Sequence, residues 1–152
     1  MTNSHMTLFK GDPGVVLVQG NASGFAQDIT AGHHQLKSDE PINVGGTNTG
    51  PSPYDLLLAA LGSCTSMTVA MYARRKQWPL RDVEVRLKHS RIYANDCADC
   101  ETKVGLLDKI EREIVLTGPL TGEQRTRLLE IANKCPVHRT LASEIKIESW
   151  LA

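Results

Sequence analysis

The chain has 152 residues, with 17 basic and 17 acidic side chains and four cysteines. This length suits one domain with a real core, and the balanced charge favours neither nucleic acid nor an anionic membrane as a partner. The polar N-terminus and the short apolar runs predict neither a secretory signal nor a membrane span. We therefore expect a cytoplasmic protein with a single domain over residues 1–152, in which 1–10 are a tag remnant, around "SHM", or disordered.

The first third of the chain predicts β-structure. Apolar and polar residues alternate there, with β-branched residues and glycines, which indicates strands at residues 15–19, 24–31 and 33–38. The loop "PINVGGTNTGPSP" is rich in Gly, Asn and Pro and ends this region.

A long helix follows in "SPYDLLLAALGSCTSMTVAMYARRK". Ser52 is the predicted N-cap, Pro53 occupies the first helical position, and Asp55 stands three residues after the cap. The helix should end near Lys76. Its first half is apolar on nearly every side, so we expect that half to be buried.

The remaining segments alternate strands and helices. Val83, Val85 and Leu87 predict a strand with one wet face, and residues 110–116 repeat the pattern. Thr121 should begin a second helix, and "CPVHRTLASE" should form a short third one. Residues 145–150, "IKIESW", should form a last strand. The predicted order is βββ-α-ββ-α-α-β, an α+β fold with mainly antiparallel pairing.

Cys64 lies within the long helix, at one turn's spacing from small and apolar residues. Burial of this kind raises a thiol pKa, so a reactive Cys64 would need a cation nearby. The alternative is a cysteine that serves as a small core residue.

Cys135 directly precedes a proline in "KCPVHR". If Pro136 begins a helix, Cys135 is its N-cap, where backbone N–H groups favour the thiolate. His138 and Arg139 follow at one turn's spacing and could add positive charge. An unreactive capping cysteine fits the same spacing.

Cys97 and Cys100 form a CxxC motif, "CADC", with His89 upstream. A complete zinc site normally has four ligands, and a second ligand pair is missing. Acidic neighbours surround the motif, which disfavours redox catalysis. A local disulfide or a partial metal site remains, so we predict neither a resident metal nor a cofactor.

Two segments, "GGTNTGPSPYDLLLAALGSCTSMTVAMYARRKQWPL" and "LLEIANKCPVHRTL", resemble the OsmC/Ohr family of osmotically inducible and organic hydroperoxide resistance proteins. The resemblance covers residues 45–150. It implies an intertwined homodimer with antiparallel sheets around a long central helix. It also implies a hydroperoxide reductase in which Cys64 is the peroxidatic thiolate, Cys135 resolves it to a disulfide, and a small thiol or dithiol is the reductant.

The chain departs from the family pattern at the cation beside the reactive thiol. The family supplies an N-terminal arginine, whereas no arginine precedes Arg74 here. Candidates to replace it are His33, His34, Lys37 and Arg139.

A second departure concerns the family's glutamate, ten residues before the reactive cysteine. Tyr54 occupies that position and Asp55 follows it, although Asp55 also has a capping role. These differences indicate a divergent member. The alternative is a non-catalytic or weakly active dimer that binds an apolar or thiol-reactive small molecule.

Overall fold

The computed structural model describes residues 8, 9 and 11–151, so most of the predicted tag or disordered segment lies outside the described residues. The described chain forms two compact units. One comprises the described residues up to Leu56 together with 147–151, and the other is Leu57–Lys146. The α+β class, the antiparallel sheets and the long helix are confirmed, and the single domain stays a prediction.

The first unit contains a three-stranded antiparallel sheet in the order β1-β2-β3. Its strands are β1 Val16–Gln19, β2 Gln27–Ala31 and β3 His34–Ser38, each within its predicted range. Ile29 pairs with Val18 on one side and with Leu36 on the other. A 3-10 turn, Ile42–Val44, follows the sheet.

The loop after β3 folds around the carboxylate of Asp39, which is 1% exposed. The backbone N–H groups of Thr47 and Thr49 each donate to Asp39 Oδ2 at 3.1 Å, and both threonine hydroxyls donate to the same oxygen. Glu40 N–H donates to Oδ1 at 2.8 Å. Five donors thus replace the water that burial removes from this carboxylate.

Helix α1 is Pro53–Arg75 and ends one residue before the predicted end. The predicted cap is confirmed, because Asp55 N–H donates to Ser52 Oγ at 3.2 Å and Ser52 N–H donates to Asp55 Oδ2 at 3.0 Å. By length and composition alone, α1 could cross a membrane. The core helix of a soluble protein passes the same test.

The second unit is built on a long antiparallel hairpin, β4 Val83–Tyr93 and β5 Leu106–Leu116. In its register Leu87 pairs with Arg112. β5 begins four residues before the predicted segment 110–116, because the pairing continues to Leu106 opposite Tyr93. The 3-10 turn Ala94–Asp96 lies in the connection.

Helices α2, Gly122–Ala132, and α3, Pro136–Leu141, follow the hairpin as predicted. Thr121 caps α2 in a reciprocal capping box with Gln124, and Cys135 caps α3.

The core of this unit joins α1 to α2 and the hairpin. Val69 and Ala73 of α1 pack with Leu128 and Ala132 of α2, all at most 2% exposed. Partly buried side chains pack against this cluster, namely Tyr72, Trp78, Leu80, Val83, Ile114, Leu116 and Leu120. A Cβ at Gly62 would come within 2.8 Å of Leu87 Cδ1, so glycine allows the close approach of α1 to β4.

The predicted last strand is wrong. Within the described part of the chain, residues 145–150 form neither strand nor helix. A strand needs hydrogen bonds from a neighbouring backbone, and alternation in the sequence cannot supply that neighbour.

Candidate active site

Cys135 is the buried centre of the site. Its side chain is 0% exposed. As the N-cap of α3, its Sγ accepts a hydrogen bond from the backbone N–H of His138 at 3.4 Å. The hydroxyl of Thr65, on α1, lies 3.7 Å from the same sulfur. Cys135 is therefore the N-cap of α3, as the sequence "CP" predicted, and its sulfur lies in the protein interior.

Cys64 precedes Thr65 on α1 and is a half-buried free thiol. Its thiol is close enough to Cys135 to form a hydrogen bond that lowers the pKa of Cys135. The two cysteines singled out by the sequence thus meet within the unit Leu57–Lys146.

Arg112 of β5 is a third member of the site, and the sequence analysis did not identify it. Its Nη1 donates to Thr65 Oγ1 at 2.8 Å and to the carbonyl of Ala132 at 3.4 Å. Its Nη2 donates to Asn133 Oδ1 at 2.8 Å. These contacts fix the guanidinium between α1 and the end of α2.

A signal for Arg112 was present in the sequence. Arg112 stands between Ile110 and Ile114 in the alternation of β5, and all three are half-buried. Residues two apart in a strand point to the same face. A cation on the apolar face of an amphipathic strand needs buried partners, which makes it a candidate site residue.

The surroundings favour the ionised form of Cys135. Burial raises the pKa of Cys135, but hydrogen bonds from His138 N–H, Thr65 and Cys64, together with the charge of Arg112, outweigh burial and lower it. Burial, and then the charge of Arg112, lower the pKa of His138. The imidazole is therefore disfavoured as a cation, and the positive charge acting on Cys135 is that of Arg112.

A pocket of about 430 Å³ lies beside these groups. Apolar side chains form much of its lining, namely Leu61, Ile110, Leu129, Leu141 and Ala142. Arg112, Asn133 and His138 contribute the polar part, where the backbone N–H of His138 contacts Cys135, and Asp108 lies on the wall as well. Nε2 of His89 is 2.8 Å from Asp108 Oδ1.

Four of the predicted supporting residues belong to the other compact unit, the one that contains the three-stranded sheet. Asp55 is engaged in the cap of α1, and Tyr54 is half exposed. The rings of His33 and His34 lie close together at the β2–β3 turn, tilted by 41° with centroids 4.0 Å apart. Their roles in the chemistry stay predictions.

The remaining predicted cations also have positions in the fold. Lys37 forms an ion pair with Asp28 at 2.7 Å on the sheet of the first unit. Arg139 is exposed on α3 and lines a different, shallow pocket with Pro136 and Thr140. A part for either in the chemistry stays a prediction.

Cys97 and Cys100 form a disulfide, with Cα atoms 5.5 Å apart, in the connection between β4 and β5. Of the two alternatives predicted for this motif, the structure contains the local disulfide. A ligand atom of Asp99 lies within 4.8 Å of both sulfurs. Metals bind the thiolate form of cysteine, so this group does not fit a metal while the disulfide is intact.

The fold and the site define a class of protein, an α+β chain in which the central helix and the start of a short helix bring two separated cysteines together. The sequence model of the OsmC-like protein family matches residues 46–149. The chain belongs to the OsmC-like protein family, as its two cysteine segments predicted. No curated protein matches the sequence.

Solved structures of related proteins share the fold. One, described as an osmotic stress induced and detoxification response protein from Psychrobacter arcticus 273-4, has 16% identity, covers 90% of each chain and has a TM-score of 0.66. An organic hydroperoxide resistance protein from Legionella pneumophila has 20% identity, covers 84% of this chain and 87% of its own, and has a TM-score of 0.60.

A third structure comes from Vibrio cholerae O1 and is described as an organic hydroperoxide resistance protein with captopril in one of its active sites. It has 16% identity, covers 92% of this chain and 88% of its own, and has a TM-score of 0.57. Osmotic stress and hydroperoxide resistance thus recur among the structures that share this fold, at identities that establish the fold alone.

Proposed function

We propose that the protein is a cysteine-based organic hydroperoxide reductase, with Cys64 as the attacking thiol and Cys135 as the resolving thiol. The observation that carries the proposal is the proximity of the half-buried Cys64 to the fully buried Cys135, close enough for the Cys64 thiol to lower the pKa of Cys135. Two neighbouring thiols can form an intramolecular disulfide when their Cα atoms lie within about 7 Å.

The reaction has three steps. The thiolate of Cys64 attacks the terminal peroxide oxygen, the O–O bond breaks, and the sulfur becomes a sulfenic acid while the alkoxide leaves and takes up a proton. The thiolate of Cys135 then forms the S–S bond and expels hydroxide, which is protonated to water. An external dithiol, or two thiols, reduces the disulfide and is itself oxidised.

The pocket supports an organic substrate rather than hydrogen peroxide. Its apolar wall includes Leu61, Ile110 and Leu129, while Arg112 and His138, which contact Thr65 and Cys135 respectively, form its polar part. An alkyl or aryl group can bury against the apolar wall. Its peroxide group would then face the polar end.

We also propose that the protein is a homodimer. Met67 and Met71 on α1 are 69% and 49% exposed, and Leu57 lies on the same side of the helix. A second copy of the chain would bury this apolar stripe, as the family resemblance implies. Sedimentation velocity measures the assembly, and a monomer at all concentrations would contradict the dimer.

The same pocket would serve the alternative function, the binding of an apolar or thiol-reactive small molecule without turnover. This function predicts that a ligand raises the melting temperature of the protein. It also predicts a slow Cys64 thiol.

The experiment that tests the reductase is the consumption of cumene hydroperoxide in the presence of a dithiol. Wild-type protein should turn over the hydroperoxide, Cys64→Ser should abolish turnover, and Cys135→Ser should consume little more than one equivalent. Cys97→Ser/Cys100→Ser is the matched control, because it removes a disulfide outside the site without leaving a new free thiol, and it should retain turnover. Equal rates for wild type and Cys64→Ser would contradict the proposal.

A further inference from the structure

We propose that Arg112, acting through the hydroxyl of Thr65, holds Cys135 as the resting thiolate of the reduced protein, and that Cys135 accepts the proton of Cys64. The second part of this proposal rests on the proposed reductase function. The first part concerns the ionisation of one buried thiol and can be tested without any hydroperoxide.

The hydroxyl of Thr65 connects the cation to the sulfur. Thr65 is 0% exposed, and its Oγ1 lies 2.7 Å from the carbonyl oxygen of Leu61 and 3.7 Å from Cys135 Sγ. The hydroxyl has a single hydrogen and two acceptor lone pairs. It can therefore donate either to the Leu61 carbonyl or to the sulfur.

The protonation state of Cys135 decides between these two arrangements. When Cys135 is a thiol, its S–H can donate to Thr65 Oγ1 while the hydroxyl donates to Leu61. When Cys135 is a thiolate, the sulfur is an acceptor only, and the hydroxyl hydrogen turns toward it. Arg112 donates to Thr65 Oγ1 at 2.8 Å, and a donor on the oxygen polarises the hydroxyl and strengthens its own donation.

The thiolate has two further donors besides Thr65. The backbone N–H of His138 lies 3.4 Å from the sulfur, and the thiol of Cys64 is close enough to lower the pKa of Cys135 as a donor. Hydrogen bonds and an opposite charge each stabilise a buried anion by replacing its lost hydration. Cys135 has both.

Among the described residues, the titratable groups that line the pocket with Arg112 are His138 and Asp108, and neither supplies a competing cation. The cationic form of His138, on α3, is disfavoured by burial and by Arg112. Asp108, on β5, is paired with His89 of β4 at 2.8 Å and with Arg91 at 3.3 Å. The negative charge on the pocket wall is thus partly offset by its own partners.

A resting thiolate at Cys135 gives Cys64 a proton acceptor. Proton transfer from Cys64 to Cys135 leaves the nucleophile on the half-buried sulfur. After attack on the O–O bond, the alkoxide takes this proton from Cys135. The regenerated Cys135 thiolate then displaces hydroxide from the sulfenic acid of Cys64, and the disulfide forms. Arg112 contacts Thr65 and acts through it, so it is a positioning residue.

The test is a pH titration of thiolate absorbance in the ultraviolet, which requires no reagent to reach the buried sulfur. Every protein carries Cys64→Ser, which leaves a hydroxyl in place of the neighbouring thiol. The absorbance of the same protein with the additional change Cys135→Ser is subtracted, so that the difference reports the ionisation of Cys135 alone. The variants are Arg112→Gln, Arg112→Lys, Thr65→Val and Thr65→Ser. Arg125→Gln is the control, because Arg125 binds backbone carbonyl groups on the same unit.

We expect Cys135 to ionise below the ordinary pKa of a cysteine in the starting protein. Arg112→Gln and Thr65→Val should raise its midpoint by about 1 unit or more. Thr65→Ser, which restores the hydroxyl, and Arg125→Gln should stay close to the starting value, and Arg112→Lys should fall between. If Thr65 had only a structural role, the titration midpoint of Cys135 would not depend on whether residue 65 carries a hydroxyl.

Thr65→Val is nearly isosteric, so it tests the proposal if Arg112→Gln does not fold. An unchanged midpoint in Thr65→Val, or in folded Arg112→Gln, would overturn the proposal. So would a Cys135 that ionises at or above the ordinary value in the starting protein. If the shifts in the Cys135 midpoint occur but the protein does not consume hydroperoxide, the proposed reductase function is disproved. The role of Arg112 in the ionisation of Cys135 then still stands.

Discussion

Arg112 and Asn133 are joined by a 2.8 Å hydrogen bond from Nη2 to Oδ1. Asn133 follows the last residue of α2, so this bond anchors the free edge of the guanidinium while Nη1 contacts Thr65 at 2.8 Å. Two separate contacts define the orientation of a planar guanidinium better than one. The geometry at Cys135 therefore depends on Asn133, which orients Arg112.

Asn133→Ala should slow the oxidation of Cys64 several-fold without abolishing it, because Arg112 keeps its charge but loses one anchor. The cost in unfolding free energy should be about 1 kcal/mol, the usual net value of one hydrogen bond. Stopped-flow measurement of the first oxidation and a urea titration check the two parts. Lys134→Ala, at the next exposed position, is the control and should change neither. An Asn133→Ala protein oxidised at the wild-type rate would contradict the anchoring role.

The buried carboxylate of Asp39 predicts how the protein responds to acid. The hydroxyl of Thr47 lowers the pKa of Asp39, burial opposes it, and the N–H groups of Thr49 and Glu40 lower it further, so the net pKa lies well below its ordinary value of 3.8. A depressed folded pKa gives stability that is present above the unfolded pKa and is lost as the pH falls toward the folded value.

Asp39→Asn should therefore be destabilised at neutral pH and should lose less stability than wild type when the pH falls below about 4. The amide has one acceptor oxygen and cannot receive all five hydrogen bonds. Thermal melting across the acid range checks this, with Asp28→Asn, an exposed position of β2, as the control. Parallel pH curves for wild type and Asp39→Asn would rule out this contribution.

Substitutions of two neighbouring leucines on α2 should affect different properties, stability in one case and substrate binding in the other. Leu128 is 0% exposed in the core, whereas Leu129 is 54% exposed and lines the pocket. Leu128→Ala should cost about 3 kcal/mol of unfolding free energy. Leu129→Ala should cost far less and should raise KM for cumene hydroperoxide. A Leu129→Ala protein with unchanged KM would mean that the substrate does not use this wall.

The disulfide between Cys97 and Cys100 should be separable from the proposed reaction. Its two residues are in the connection between the strands of the hairpin, and the electrons of the proposed cycle pass only through Cys64 and Cys135. The double variant Cys97→Ser/Cys100→Ser should therefore keep the wild-type rate of hydroperoxide reduction. A rate that falls to the level of Cys64→Ser would show that this disulfide takes part in the cycle.

Local signals explain which parts of the fold could be predicted. The start of α1 was predictable from Ser52 and Asp55, and the start of α2 from Thr121, because a cap is a contact between residues three apart in the chain. The sequence "CP" placed Cys135 at the start of α3 for the same reason. The missing strand at 145–150 shows the limit, because a strand depends on a backbone that the segment itself does not contain.

The candidate site could be predicted only in part. The resemblance of two segments identified Cys64 and Cys135, but the cations predicted to stand near the reactive thiol were His33, His34, Lys37 and Arg139. Arg112 is 48 positions from Cys64 and 23 from Cys135 along the chain (112 − 64 and 135 − 112). Only the packing of α1 and α2 on β5 brings it to Thr65, so spacing in the sequence carried no direct information on that contact.

The most direct test of the central claim is peptide mapping by mass spectrometry after the reduced protein receives one equivalent of cumene hydroperoxide. We predict a new disulfide between Cys64 and Cys135 in the wild type, and sulfenic or sulfinic acid on Cys64 in Cys135→Ser. If both cysteines remain reduced while the hydroperoxide persists, or if oxygen is added elsewhere and no Cys64–Cys135 disulfide forms, the two thiols are not the reactive pair.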